Sequence, residues 1–506
     1  MSREGNGTMT RKTLVFGMGA GLCAAVCAAT SPDMPPEIFK PGETILFQGD
    51  SITHGGRQGD MNHFLGHGYQ ALISYAYLAN RPDLRLKFLN RAVSGDTTEK
   101  MLARWDRDAL APVATEWGYG YVFGMTNVLA RGGSFPVRPD WLSILAGVND
   151  YHFARNCSPE AYETNLVQLV ERARAANPKL KIVLGEPFGV PQYATDRFAR
   201  MQAAAAKVAL RYGLPLVPYQ KLFNEDLMKL VPQPGYWSWD TVHPTYAAHA
   251  RMAGLWMRTV ADWCASPVTN TCLIPQGQLE RDSYDWFKRH CKILELQRKL
   301  DPEVVFVGDS ITHFWAGRHT VGEAADASGK PSDLAARWKE AFGAYRTLNI
   351  GFGWDRIQNV LWRLAHGEMD GLKPKAIVLH IGTNNVGGTP RARANSPAEI
   401  AEGTLEVVRR LHEKAPDAQV ILMAVFPRGQ KAGGHWRKVT AASNAILKEL
   451  VKDDPKTTWL DIGEKLVDEN GDIPKSVMFD FCHPTTNGYA IWAEAIKPHL
   501  VRAVGH

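Results

Sequence analysis

The sequence predicts an α/β protein: two three-layer α/β/α domains in tandem, each built on a parallel sheet. Three observations lead there. An apolar run ending in Gly-Asp-Ser-Ile-Thr-His occurs twice, as ILFQGDSITH from Ile45 and VVFVGDSITH from Val304, which sets Ser51 and Ser310 259 residues apart. Each half carries five short, near-continuous apolar runs alternating with longer amphipathic stretches, the pattern of strands buried on both faces by crossover helices. The 506 residues also exceed what one ordinary core accommodates.

The elements follow in the same order in both halves. In the first the apolar runs are ETILFQ, RLKFLNRAV, DWLSILAG, KIVLGEP and LPLVPY; in the second they are EVVFVG, YRTLNIG, KAIVLHIG, QVILMAV and TTWLDI. A helix after the third run is well marked each time. SPEAYETNLVQLVERA opens at Ser158-Pro159, and SPAEIAEGTLEVVRRL opens at Ser396-Pro397 with Glu399 placed for a capping box. Between the halves, SPVTNTCLIPQG has turn residues and no period, so residues 266–277 read as a linker joining domains at 36–265 and 278–506. QLERDSYDWFKRHCKILELQRKL then predicts a helix leading into the second domain's first strand.

Before the first domain, Arg11-Lys12 precede an apolar Gly/Ala-rich stretch from Thr13 to Ala25 and small residues at Cys27-Ala28-Ala29. That order is expected of a secretory signal peptide over residues 1–29, too short to span a bilayer comfortably, so the expected location is secreted or periplasmic with no membrane span in the mature chain. A lipoprotein anchor at Cys23 or Cys27 is a weaker alternative. Five cysteines remain, too few for a disulfide scaffold and without paired metal-ligand spacing; Cys264 and Cys272 either bridge or stay as thiols. The formal charge of +6 comes with no basic run or basic–aromatic patch, which argues against a nucleic-acid partner.

Working groups in an open parallel sheet gather beyond the carboxyl ends of its strands. Four signals fall there in each half: Gly49-Asp50-Ser51 or Gly308-Asp309-Ser310; Ser94-Gly95-Asp96 or Gly353-Trp354-Asp355; Asn149-Asp150 or Asn384-Asn385; and Asp240-Thr241-Val242-His243 or Asp480-Phe481-Cys482-His483. Serine needs an adjacent base to become a nucleophile at neutral pH, and the base needs a partner to fix its tautomer. A histidine three residues after an aspartate supplies both on one loop, with Nδ1–H on the carboxylate and Nε2 toward the serine. The developing oxyanion needs donors already in place, and the serine N–H, the N–H after strand two and an asparagine amide can converge there. Each signal alone is weak. Together they recur in order, with 44 residues from Ser51 to Gly95 and from Ser310 to Trp354.

These blocks resemble those of the SGNH (GDSL) esterase/lipase superfamily, whose domains are flavodoxin-like, and the resemblance covers about Glu43 to Val260 and Val304 to Leu500. The second half, with NIGFGWDRIQNVLWRL, HIGTNN and FDFCHPTTNGYAIWA, is most similar to the platelet-activating-factor acetylhydrolase-like branch, which includes bacterial carbohydrate O-acetylesterases. By this resemblance Ser51 and Ser310 are nucleophiles, His243 and His483 bases, and Asp240 and Asp480 their orienting acids. Gly95 and Asn149 would complete the first oxyanion hole, and Trp354 N–H and Asn384 the second. Asp50, Asp309, His54 and His313 read as local structural residues, and Cys482 as a small loop residue.

Two departures stand out. Trp354 occupies the oxyanion glycine's place, where its indole either narrows the acyl pocket, offers a sugar platform or packs on its own loop. The first half has 54 residues from Gly95 to Asn149 against 30 from Trp354 to Asn384. That insertion carries Trp117, Tyr119, Tyr121 and Phe123, which either face a glycan or form a packed hairpin; Trp237 and Trp239 adjoin Asp240 and, with Trp117 and Tyr119, are the expected substrate-binding residues. The resemblance implies an exported tandem serine esterase that removes acetyl groups from an acetylated oligo- or polysaccharide, with no metal or organic cofactor required. Alternatives are a lysophospholipase or aryl esterase, an acetyl transferase, and a catalytic first domain beside a non-catalytic glycan-binding second one. The sequence leaves the oligomeric state and the particular glycan open.

Overall fold

The computed structural model describes residues 34–57, 65–110, 113–115, 134–136, 138–152, 157–266, 268–315 and 333–505. The expected signal peptide and the aromatic insertion residues Trp117, Tyr119, Tyr121 and Phe123 lie outside them.

The first domain runs β1 (Thr44–Gly49), α1 (Ser51–His54), α2 (Tyr69–Asn80), β2 (Lys87–Asn90), α3 (Thr98–Ala103), β3 (Val113–Thr115), β4 (Ser134–Pro136), β5 (Trp141–Leu145), α4 (Pro159–Ala176), β6 (Lys181–Gly185), α5 (Asp196–Tyr212), β7 (Leu216–Val217) and α6 (Tyr246–Ala265). The second runs α7 (Trp286–Gln297), β8 (Val304–Gly308), α8 (Ser310–Trp315), β9 (Thr347–Gly351), α9 (Ile357–Ala365), β10 (Ala376–His380), α10 (Pro397–Lys414), β11 (Gln419–Met423), α11 (His435–Val451), β12 (Thr457–Leu460) and α12 (Thr486–Val504). Every expected apolar run contains a strand.

Both sheets are parallel and five-stranded, ordered β2-β1-β5-β6-β7 and β9-β8-β10-β11-β12. The chain moves outward from the first strand to the second, then crosses to the other side, so β1 with β5 and β8 with β10 flank the switch point where such folds place their sites. Strand period sorts the side chains. Ile45, Phe47 and Trp141 enter one core layer, while Leu46, Leu142 and Ile144 enter the opposite one. In the second domain Val305 and Val307 face one layer, and Val304 and Phe306 the other. Burying each such side chain contributes about 1.5–3 kcal/mol, which explains why the strands read as continuous apolar runs. Helix starts also obey the sequence: Ser158 caps α4, and Ser396 with Glu399 forms the capping box of α10.

Two expectations change between the domains. The helix expected over 278–300 begins only at Trp286, because the Asp285 carboxylate accepts from Lys288 N at 3.1 Å and caps it there. The expected linker continues into a strap, residues 268–285, that is bound along the second domain. Cys272 is fully buried in that domain's core, Asn270 donates to Glu399 O at 3.1 Å, and Gln276 N donates to Gln358 O at 3.0 Å. Cys264 and Cys272 are both free thiols, the first exposed and the second enclosed by the partner domain.

The domains themselves are joined by buried polar pairs. Glu186, just past β6, meets His366 Nε2 at 2.8 Å, and both are buried. Glu225 pairs with Arg410 and, at 3.1 Å, with Lys414. Ala199 and Ala203 of α5 share the core that holds Trp286 and Phe287 of α7.

Candidate active sites

Each serine stands where a strand becomes a helix. Gly49 must be glycine, since a Cβ there would strike Leu145 O and the Thr53 side chain; Gly308 is held likewise by His380 O and Thr312. Asp50 is the N-cap of α1, its Oδ1 accepting from Ile52 N at 3.0 Å, and Asp309 makes the same bond to Ile311 N. Their burial pushes both carboxyls up to about 7. Ser51 and Ser310 thus open a helix, where a backbone N–H has no intrahelical acceptor and points outward.

The histidine arrives on a loop that folds on its own aspartate. Asp240 Oδ1 accepts from Val242 N (3.1 Å) and His243 N (2.7 Å), while Oδ2 meets His243 Nδ1 at 2.6 Å. Thr241 takes a left-handed φ of 73° to close this turn, as Phe481 does at 62° in the repeat. His243 Nε2 then lies 2.8 Å from Ser51 Oγ. The second loop reproduces the first: His483 N and Nδ1 are each 2.7 Å from the Asp480 carboxylate, and Nε2 is 2.8 Å from Ser310 Oγ. Partial burial raises the Asp240 and Asp480 carboxyls, but the hydrogen bonds from their histidines outweigh it and hold both below the ordinary range. Both therefore stay ionised and fix Nδ1–H, leaving Nε2 as the acceptor.

The block after strand two is braced in parallel. Asp96 binds Arg104 Nε at 2.6 Å, and Asp355 binds Arg363 Nε at 2.9 Å. The Asn149 amide donates to Asp96 O at 2.9 Å, and the Asn384 amide to Asp355 O at 3.0 Å. Each bond uses one of two N–H groups and leaves the other for a ligand. Next to them, Asp150 accepts from Thr98 N and Asn385 from Ile357 N, tying the third block to the second. Gly95 adopts φ 78°, and Trp354 adopts φ 64° in its place. The tryptophan thus keeps the glycine's backbone course.

The surroundings differ. A cavity of about 370 Å³ at Ser51 is lined by His54, His67, Ser94, Trp239, His243 and His249. One of about 620 Å³ at Ser310 is lined by Trp354, Asn384, Arg428, Trp436, Phe479 and His483, with Asp282, Phe314 and Cys482 also on its wall. Trp354 is 45% exposed and Trp239 56%. Trp237 is not a binding residue: it is 4% exposed, lies in the first domain's core and donates its indole N–H to Val231 O at 2.9 Å. Its packing is set by α6 and by the loop before it, which local sequence does not reveal. His54 is on the cavity wall, whereas His313 serves the fold by accepting from Gly353 N at 3.1 Å. Burial raises the Cys482 thiol to about 11. Trp436 and Asp282 lie far in sequence from the four blocks and carry no local signal, whereas Phe479 precedes Asp480 as Trp239 precedes Asp240.

A doubly wound parallel sheet carrying a serine–histidine–aspartate chain beyond its switch point defines an α/β protein equipped for nucleophilic acyl transfer by serine. The chain belongs to the GDSL-like lipase/acylhydrolase family, whose profile matches residues 47–251 and again 306–491. Over 223 residues it is 32% identical to platelet-activating factor acetylhydrolase IB subunit alpha2 of Gallus gallus, covering 44% of this chain and 86% of that protein. It is 29% identical over 217 residues to the alpha1 subunit of Pongo abelii, covering 43% and 83%. Among solved structures it is similar to an acetylxylan esterase from Geobacillus stearothermophilus, at 27% identity and TM-score 0.36 over 44% of this chain and 96% of that one. Among the described residues, no helix is long and apolar enough to cross a membrane.

Proposed function

We propose that both domains are serine esterases that remove short acyl groups, chiefly acetyl, from carbohydrate hydroxyls. The observation that carries this is the repeated chain from Ser Oγ through His to Asp, with 2.8 Å at the serine in both copies. In each, Nε2 takes the Oγ proton as Oγ bonds to the acyl carbon. The serine N–H, the N–H of Gly95 or Trp354 and the asparagine amide receive the oxyanion; one such donor is worth about a 10²–10³-fold rate effect. The imidazolium returns its proton to the departing sugar oxygen as the C–O bond breaks. Water then repeats the sequence, releasing acetate and restoring the serine.

The short acyl preference is supported by the bulk of Trp354 beside Ser310, and by relatives named as acetylhydrolases. The carbohydrate preference is supported by the exposed aromatics Trp239, Trp354, Trp436 and Phe479 around the two serines. Export, proposed from residues 1–29, suits a polymeric glycan; the N-terminus of protein recovered outside the cytoplasm tests it. The functional test is acetate release from acetylated xylan and pectin, beside an acyl-length series of p-nitrophenyl esters. Acetate release with activity falling from acetyl to longer acyl groups is the expected result. Rising activity with chain length would replace the reading with a lipid esterase.

A further inference from the structure

We propose that Asp282, a residue outside both family-like units, is a specificity-determining ligand of the second site, accepting hydroxyls of a neutral sugar and disfavouring a uronate. The proposal rests on the carbohydrate reading above. Its starting point is a difference between the repeats. Ser94, on the wall of the first cavity, is matched by Gly353 in the second. A Cβ on Gly353 would collide with Asp282 Oδ2, so the strap's carboxylate occupies the room the serine side chain takes in the first domain.

That carboxylate is held there by its neighbours. Ser283 N donates to Asp282 Oδ1 at 2.6 Å, and Tyr284 Oη donates to Gly353 O at 3.3 Å. The Tyr284 ring also meets His313 edge-on with centroids 4.9 Å apart. Asp282 is partly exposed and shares the cavity wall with Ser310, His483 and Trp354. An ionised carboxylate only accepts hydrogen bonds, so its ligand must bring O–H or N–H groups. Beside the exposed Trp354 and Trp436 indoles, this pairs an apolar face with an acceptor, which is what a pyranose presents in reverse: C–H on its faces and hydroxyls at its rim. A carboxylated sugar would face like charge. Arg428, the cation on the same wall, donates to Thr383 O at 2.6 Å and lies 4.7 Å from the Trp436 ring; the Asp282 carboxylate offsets its charge, which would otherwise favour a uronate.

The experiment uses the full chain carrying Ser51→Ala, so that acetate release reports Ser310. Asp282→Ala and Asp282→Asn are compared with that parent on acetylated xylotriose, an acetylated oligogalacturonate and p-nitrophenyl acetate. Asp282→Ala is expected to raise KM for the neutral sugar roughly 10-fold with little change in kcat, the loss of one hydrogen bond to a charged group. Its effect on p-nitrophenyl acetate, which has no sugar hydroxyl, is at least about fivefold smaller on the same grounds. Asp282→Asn keeps an acceptor, so it retains most of the xylotriose affinity while its preference for the neutral sugar over the uronate falls. Equal losses on all three substrates would make Asp282 purely structural and overturn the proposal, as would no change on either sugar. If the Ser51→Ala parent releases acetate from p-nitrophenyl acetate but from no acetylated sugar, the carbohydrate reading fails and this proposal with it.

Discussion

Gly95 and Trp354 hold the same place in their repeats and share a left-handed backbone, with φ of 78° and 64°. For glycine that conformation is free; for an L-residue it costs about 1–2 kcal/mol. A half-exposed indole recovers little of that by packing, so the cost points to use at the site. Trp354→Gly is expected to raise stability by about 1 kcal/mol, seen as a higher Tm, and to widen the acyl pocket. In a Ser51→Ala background the ratio of p-nitrophenyl butyrate to acetate turnover should rise. An unchanged ratio would show that the indole does not border the acyl group.

The equal 2.8 Å serine–histidine distances predict that both sites turn over. Ser51→Ala and Ser310→Ala should each remove part of the activity, with different substrate profiles. The double variant should fall by about 10⁴-fold or more. Acetate release by the three variants checks this, and survival of the double variant would remove both serines from the chemistry.

Asp50 and Asp309 are buried carboxyls raised by desolvation to about 7. Because the folded value lies above the unfolded one, their stabilising contribution is full below the ordinary value of 3.8 and is lost as pH rises through about 7. Asparagine caps a helix as well as aspartate does. Asp50→Asn and Asp309→Asn should therefore flatten the fall in Tm across that window, at about 1.4 kcal/mol per pH unit removed for each site. Thermal melts at several pH values read the slope; a slope unchanged from wild type would refute the assignment.

Glu225 is the buried anion shared by Arg410 and Lys414 across the domain junction. Glu225→Ala leaves Arg410 paired only with Glu413 and Lys414 only with Asp370, a loss of about 1–3 kcal/mol. Calorimetry should show the junction failing first, with the unfolding of the two domains separating. A single transition at the wild-type temperature would mean that the apolar contact through Ala199 and Ala203 suffices.

Much of this was legible in the chain itself. Parallel strands buried on both faces print continuous apolar runs, and Asp240-x-x-His243 is closed by hydrogen bonds within four residues, so both signals are local. What escaped depends on distant partners. Cys272 is a core residue only because α9 and α10 meet it, and Asp282 reaches the second cavity only because Gly353 leaves it room. Trp237 resembled Trp239 in sequence, yet one indole turned to Val231 O and the other to solvent.

The strap at 268–285 has a consequence for how such a chain can be divided. A fragment beginning at residue 306, where the second family match begins, would lack Cys272 from its core, Tyr284 from Gly353 and Asp282 from its cavity wall. The join is built into the core and cavity wall of the second unit, so the portable module is longer than the repeat.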